Sequence, residues 1–348
     1  MIYTILQHPG HNRVYYNSAD KLALAELKLA SKRLSTKCND IKVVDIENIR
    51  YLSIKTENDL SENDLQVLSR LSFVFAIFNA EELNGKTCLI PIRKADYEYL
   101  DSKISSLLKY QGKTNELFTR MMINVALLSS DFNYSENIKM LDPVAGKGTT
   151  LFEGTVNGFD VYGIEIEQKS VHEATVFFKK YLETERLKHN LTQRQIYGTN
   201  KSNAVNIQEF EYAYTKQEFK SQESVKKLGI VCGNSQDTFK YFKKEIFHLL
   251  IGDLPYGIFH GNKNDKRTTS VSRNPSELLS DCLPEWYKVL KKGGTVVVAW
   301  NSYVASRQKL TDIFSANGFD VLSQAPYNEF EHMVDKSIRR DIVVAKKT

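Results

Sequence analysis

Three stretches of the chain carry residue types whose order and spacing suit chemistry. In Leu141-Asp-Pro-Val-Ala-Gly-Lys-Gly-Thr-Thr150, an apolar run ends in Asp142, Gly146 and Gly148 form a turn, and Thr149 or Thr150 opens a helix. Glycines let backbone approach a ligand closely, and a helix N-terminus offers N–H groups to an anionic group such as a carboxylate. The stretch is not a phosphate-binding P-loop, because the spacing of glycine, four residues, then Gly-Lys-Ser/Thr is absent. In Val161-Tyr-Gly-Ile-Glu-Ile-Glu167, an acid follows the glycine turn by about 20 residues, which fits a carboxylate accepting both hydroxyls of a ribose. Glu165 fits best and Glu167 is the alternate. In Phe247-His-Leu-Leu-Ile-Gly-Asp-Leu-Pro-Tyr-Gly257, an apolar run meets Asp253-Leu-Pro-Tyr. Asp253 can accept a hydrogen bond from an exocyclic amine, the carbonyls flanking Pro255 can accept another, and Tyr256 can stack on an extruded base. This set suits methylation of that amine.

The plain reading of each stretch is structural: a tight strand-to-helix connection, surface glutamates, and a proline turn. Other residues lean further that way. Cys232 and Cys282 read as small core residues, Trp286 and Trp300 as core, and His260 as polar lining rather than a base. Residues 262–274, with four basic side chains against one acidic, suit a loop that contacts a nucleic-acid backbone, with a solvated loop as the alternative. Residues 336–347, with Arg339 and Arg340, read first as an edge strand and second as further phosphate contacts.

The elements that must position these residues follow from patterning. Short apolar runs at 138–141, 161–166, 228–231, 247–251, 295–300, 319–322 and 341–345 alternate with helical stretches. Such alternation implies crossover connections and a mainly parallel sheet covered on both faces. The expected α/β fold is therefore a doubly wound sheet of seven strands, with its ligand at the carboxyl ends of the strands. Residues 183–227 interrupt the rhythm as a long polar segment, with 179–190 expected to continue a helix. A boundary is expected near Gly112, where residues 109–115 read as a linker, giving units of 1–111 and 112–348. The first unit reads as a small α+β domain: short strands at 1–7 and 13–16 around a Pro-Gly turn, then an amphipathic helix over 18–34 capped by Ser18. One or two strands at 42–54, a segment at 64–78 that starts helical and ends apolar, and a strand at 88–92 complete it.

Composition bounds the partners. With 348 residues, 42% hydrophobic and 26% charged, the chain can bury a sizeable core without covalent staples. Four cysteines without a CxxC pair argue against a disulfide framework or a zinc site, and suit a reducing compartment such as the cytoplasm. No secretory leader and no 18-residue apolar run stands in the sequence, so neither a membrane nor a metal partner is expected. The net charge of +5 permits a nucleic-acid partner without demanding one; +1 belongs to residues 1–112 and +4 to the rest.

The order of the three stretches resembles class I S-adenosylmethionine-dependent methyltransferases of the amino-group type. Within that class the chain most resembles the THUMP-linked RNA guanine-N2 methyltransferases of the tRNA guanine-10 type. The resemblance rests on Asn115-Glu-Leu-Phe-Thr-Arg-Met-Met-Ile-Asn-Val-Ala126, the turn at 142–150, Gly163-Ile-Glu165 and residues 253–257, and it covers about residues 108–348. It implies a Rossmann-like seven-stranded sheet with an antiparallel last strand, S-adenosylmethionine as cofactor, and RNA, foremost tRNA, as partner. The N-terminal unit resembles the opening segment of those proteins more faintly, which implies a possible RNA-binding role. By this resemblance Phe118 and Thr119 would lie over the cofactor, while Asp142, Ala145, Gly146 and Gly148 would hold its methionine end. Glu165 would bind its ribose, and Asn234 and Ser235 would approach its adenine, with Asp237 competing for that place. Asp253, which would also border the cofactor, Pro255 and Tyr256 would hold the target base. Leu254 stands where a second proline is commoner; Leu254, Gly257, Lys263, Lys266 and Arg267 would contact the substrate.

Two rivals share the chemistry, an adenine-N6 DNA methyltransferase and a protein glutamine methyltransferase. The first lacks an evident target-recognition region after the fourth strand, and the second usually begins its tetrapeptide with asparagine. A rival of another class is a catalytically idle RNA-binding module, against which the intact Asp253, Pro255 and Tyr256 argue.

Overall fold

The structure, a computed structural model, describes residues 1–9, 13–110, 112–196, 205–255 and 274–348, apart from the side chains of 13–17. Two sheets organise these residues. The first is built from β1 (Ile2–Gln7), β2 (Cys38–Ile46), β3 (Ile49–Thr56), β4 (Val74–Leu83) and β5 (Lys86–Ile92), in the order β2-β3-β1-β4-β5 with every pair antiparallel. Its hairpins close through two-residue turns in which both central residues have positive φ, Glu47-Asn48 and Asn84-Gly85. That geometry matches the twist of the flanking strands. Helices α1 (Arg13–Ser31) and α2 (Glu62–Ser69) belong to this part. Ser61 and Asp64 cap α2 reciprocally, each side chain accepting from the other residue's backbone N–H.

The strand expected at 13–16 is instead the start of α1, so Ser18 lies inside the helix rather than capping it. Val14, Tyr15 and Tyr16 favour strands locally. Extending an established helix backwards costs little, and the Ala/Leu/Lys/Glu run that follows nucleates it.

Helix α4 (Glu116–Ser129), reached through the short α3 (Ile104–Leu107), joins the first sheet to the second. Asn115 caps it by accepting from the Phe118 N–H at 3.2 Å. Nearly all of α4 is buried, and one apolar core runs from Ile5, Leu27 and Leu52 through Phe118, Met122 and Ile123 to Leu151 and Phe178. A polar knot crosses that core. Asn124 Nδ2 donates to Glu26 Oε1 and to the Arg70 carbonyl, both at 2.8 Å, and Asn124 Oδ1 accepts from the Tyr134 hydroxyl at 2.9 Å. Glu26, fully buried, also accepts from the Ser72 backbone and hydroxyl, and burial pushes its carboxyl above the usual range.

The second sheet contains all seven expected strands: β6 (Lys139–Asp142), β7 (Asp160–Glu165), β10 (Lys226–Cys232), β11 (Phe247–Asp253), β12 (Leu290–Asn301), β13 (Asp320–Leu322) and β15 (Arg339–Lys346). It has ten strands rather than seven, because β8 (Lys188–Ile196) and β9 (Val205–Ala213) extend one side and β14 (His332–Met333) pairs with β15. The order is β13-β15-β12-β11-β6-β7-β10-β9-β8. The five central strands are mutually parallel, and β15 runs antiparallel to both neighbours. The expected helix over 179–190 breaks at Arg186, whose φ is +58°, and the chain turns into β8. Strand β8 is polar on both faces, as suits a sheet edge, so apolar alternation did not mark it. Residues 336–347 are not an edge: β15 lies between β12 and β13, with Ile342, Val343, Val344 and Ala345 fully buried.

Helices α4, α5 (Thr149–Val156) and α6 (Gln168–Thr184) cover one face of the second sheet. Helices α8 (Thr238–Tyr241), α9 (Pro275–Val289) and α10 (Arg307–Ala316) cover the other, and α7 (Lys216–Ser221) follows the β8–β9 hairpin. Trp286 and Trp300 are fully buried there. The chain leaves β6 toward β7 and β10 on one side and returns to β11 and β12 on the other. The switch point therefore falls between β6 and β11, where a doubly wound sheet opens a crevice. Among the described residues no helix is long and apolar enough to cross a membrane.

Candidate active site

The tips of the strands beside the switch point end in carboxylates: Asp142 on β6, Glu165 on β7 and Asp253 on β11. Asp142 is fully buried. It accepts from the Val144 N–H at 2.9 Å and from the Thr150 hydroxyl. Burial nonetheless pushes its carboxyl up to about 7, and the neighbouring charges of Asp253 and Glu165 add to that rise.

The glycine turn wraps over these tips. Gly148 caps α5 with φ +89°, and a Cβ there would lie 3.1 Å from the Phe152 ring. Ala145 donates its N–H to the Ile164 carbonyl at 2.9 Å, which ties the turn to β7. That approach needs Gly163, where a Cβ would come within 2.8 Å of Ala145 and Leu151. Glu165 closes the arrangement, Oε2 accepting from the Gly146 N–H at 2.8 Å and Oε1 from the Glu167 N–H at 2.7 Å. Burial raises its carboxyl, and those two N–H groups pull it back. The alternate, Glu167, turns away to accept from the Ser170 hydroxyl.

A cleft of about 320 Å³ opens here, bordered by Asp142, Gly146, Thr150, Asp253 and Pro255 on the sheet side. Its other wall is Tyr110 and Thr114, from the stretch expected to be a linker. The Tyr110 hydroxyl lies 2.8 Å from Thr149 Oγ1, and its ring carries Lys147 Nζ 5.0 Å from the centroid. Thr114 donates its hydroxyl to Asp253 Oδ2, and Arg340 Nη2 stands 3.9 Å from the same oxygen. Tyr110 and Thr114 are site residues that sequence reasoning missed, and Arg340, read there as a possible phosphate contact, faces Asp253 instead. The only available signal was that Thr114 precedes a capping asparagine, which fixes its place at a helix start.

Several expected residues are not in the cleft. Phe118 is fully buried, its ring 4.7 Å from the Arg340 guanidinium carbon and 5.2 Å from the His332 ring. Thr119 is buried in α4, its hydroxyl donating to the Asn115 carbonyl at 3.2 Å. Asn234 Oδ1 accepts from the Gln236 N–H at 3.0 Å and caps the short turn Ser235–Asp237. Ser235 Oγ accepts from the Trp286 indole at 3.0 Å, and Asp237 pairs with Lys240 at 2.6 Å. Leu254, by contrast, does border the cleft, although it is almost fully buried and its N–H continues the ladder to the Ala299 carbonyl. Arg339 pairs with Glu331 at 2.7 Å and Arg340 is buried, so neither is a loose phosphate contact. Tyr256, Gly257, His260, Lys263, Lys266 and Arg267 lie outside the described residues.

No protein-family model and no curated protein matches the chain. Among solved structures it is similar to TrmN from Thermus thermophilus, at 11% identity and a TM-score of 0.40 over 90% of this chain. The chain spans 60% of the length of that protein. It is also similar to a putative RNA methyltransferase from Pyrococcus horikoshii, at 13% identity and TM-score 0.37, covering 71% of this chain and 96% of that one. A putative methyltransferase from Streptococcus mutans in complex with SAH gives 11% identity and TM-score 0.36, covering 64% and 93%. The strand order, rather than these likenesses, defines the fold.

The arrangement has a definite chemical character. Two carboxylates, Asp142 and Asp253, line one cleft, Glu165 is tied to the turn beside it, and burial resists the charge of Asp142. A cation placed there relieves that cost. The N–H groups of Val144, Ala145, Gly146 and Gly148 are already spent on Asp142, Ile164, Glu165 and Ala145, so the complementarity the cleft offers is to a ligand's cationic centre.

Proposed function

We propose that the chain is a methyltransferase that uses S-adenosylmethionine to methylate an exocyclic amino group of a nucleobase, guanine N2 in tRNA being the substrate. The observation that carries the reading is the meeting of Asp142, Glu165 and the glycine turn with Asp253 at the switch point of a sheet whose last long strand runs antiparallel. Residues 112–348 would form the catalytic unit and 1–111 a unit that touches RNA.

The residues present fit such a cofactor. Its sulfonium and ammonium groups are cationic, which suits a cleft edged by the buried Asp142, and its carboxylate suits the first turn of α5, whose Thr149 and Thr150 line the cleft. Glu165 has the position and chemistry to accept ribose hydroxyls, with its carboxylate already oriented by two backbone N–H groups. Bound S-adenosylmethionine supplies an activated methyl group.

The protein's own part is positioning and charge. An exocyclic amine is a poor nucleophile, because its lone pair is delocalised into the ring. Asp253 accepts a hydrogen bond from the amine and a carbonyl beside Pro255 accepts the other. Together they favour a pyramidal nitrogen and disperse the positive charge that develops on it. Holding the nitrogen in line with the methyl group supplies the larger share, since orientation removes the entropy of the encounter. Tyr256 is assigned the face of the target base. Calorimetry with S-adenosylmethionine tests the cofactor, and transfer of labelled methyl to tRNA, rRNA and DNA separates the substrate classes. Absence of cofactor binding contradicts the reading outright.

A further inference from the structure

We infer that Thr114 and Arg340 are positioning residues that set the orientation of the Asp253 carboxylate; this rests on the methyltransferase reading above. Both meet the same oxygen, Oδ2. Thr114 does so by donating its hydroxyl, and Arg340 by charge at 3.9 Å, beyond hydrogen-bond length. Two partners on one oxygen fix the rotation of the carboxyl group about its Cβ–Cγ bond. That rotation decides which way an acceptor lone pair faces an incoming amine.

Three elements converge to make the arrangement rigid. Thr114 immediately precedes Asn115, whose side chain caps α4, so the cap holds the backbone that carries the hydroxyl. Arg340 begins the buried part of β15, opposite Asn301 of β12, and its side chain is only 6% exposed. Its guanidinium lies over the Phe118 ring at 4.7 Å, and Phe118 is backed by His332. Burial, with Arg340 contributing, pushes His332 down to about 4, so at neutral pH that histidine adds no second charge under the arginine. Phe118 thereby gains a role different from the one its sequence position suggests. It supports the arginine that faces Asp253.

Arginine suits this place better than lysine, because a planar guanidinium can stack on a ring and present charge at its edge together. The same cavity wall continues past Thr114 into a second pocket of about 310 Å³, bordered by Glu116, His332 and Met333. Thr114 thus lines both cavities and Arg340 the second, and both meet Asp253.

The test uses the full chain with Thr114→Val, Thr114→Ser, Arg340→Gln and Arg340→Lys, alone and combined with Asp253→Asn. The expected result is that Thr114→Val and Arg340→Gln each lower kcat for methyl transfer about tenfold, with S-adenosylmethionine affinity changed less than threefold. Thr114→Ser should restore most of the loss, and Arg340→Lys only part of it. On the Asp253→Asn background the same changes should cost almost nothing more, because they act through the carboxylate. A purely structural role predicts additive losses there, and that outcome, or an unchanged kcat in Thr114→Val, overturns the inference. If Arg340→Gln does not fold, the Thr114 pair carries the test alone. The carboxyl-carbon NMR resonance of Asp253 reads the contact without any turnover: it should move in Thr114→Val, and a resonance that stays put overturns the inference. Failure of the unaltered chain to bind S-adenosylmethionine overturns instead the reading on which it rests.

Discussion

Raising the pH from 6 to 8 should tighten binding of S-adenosylmethionine by about tenfold, and Asp142 is the reason. Its carboxyl is fully buried and pushed up to about 7, mainly by desolvation. A raised carboxyl pKa means the neutral form persists below pH 7 and the anion appears above it. A single group with that midpoint is about one-tenth ionised at pH 6 and about nine-tenths at pH 8. A cationic ligand favours the anion, so in the limit where it binds only the ionised form its affinity follows that fraction, about tenfold or 1.4 kcal/mol. Below the midpoint binding must also expel the proton, close to one per ligand at pH 6. Isothermal titration calorimetry at pH 6, 7 and 8, in buffers of different ionisation enthalpy, reads both quantities. Asp142→Asn mimics the neutral form, so its affinity should be flat with pH and below the parent's value even at pH 6, where about one-tenth of the parent is ionised. A parent affinity independent of pH, with no proton released, would refute the reasoning. The stability of the ligand-free chain runs the other way. The unfolded chain loses this proton near the ordinary carboxylate value and the folded chain keeps it until about 7. Unfolding therefore releases a proton across that window, and stability falls as pH rises through it. Asp142→Asn should accordingly raise Tm more at pH 8 than at pH 4.

Three further outcomes follow from the geometry. Asp253→Ala should abolish methyl transfer while leaving cofactor affinity nearly intact; a large loss of affinity would put Asp253 in the cofactor site instead of against the amine. Gly148→Ala forces a side chain into φ +89° and toward Phe152, and should cost about 1–3 kcal/mol in denaturant titration together with weaker cofactor binding. Asn124→Ala removes one partner of Glu26 and the Asn124 bonds of the Arg70 carbonyl and the Tyr134 hydroxyl in the shared core, and should cost about 2–5 kcal/mol. Loss of one cooperative transition for both sheets would accompany it, read by chemical denaturation.

Much of the second sheet was legible in the sequence because its strands are buried on both faces. Runs such as Phe247–Asp253 are continuous apolar segments, and the turn between Asp142 and Thr149 announces itself through glycine. Strand β8 was not legible, since an edge strand needs polar residues on both sides and so loses the alternation that marks a strand. Residues 13–16 misled for the opposite reason: local β preference yielded to the helix that follows. In the site, Asp142, Gly146, Asp253 and Pro255 border one cleft, with Glu165 tied to Gly146. Thr114 and Arg340 lie 139 and 87 residues from Asp253 in sequence, and nothing local in either neighbourhood points there. Only folding, which stacks β15 beside β12 and seats the start of α4 over β11, brings them together. Phe118 shows the same limit: its place at the start of α4 is legible in the sequence, but only the fold turns its ring toward Arg340 and His332.

The most direct test is transfer of isotopically labelled methyl from S-adenosylmethionine to bulk tRNA by the purified full chain, followed by nucleoside analysis. Label recovered as N2-methylguanosine, and absent with Asp253→Ala, is the predicted result. Label absent from every RNA, or found in DNA adenine, contradicts the account.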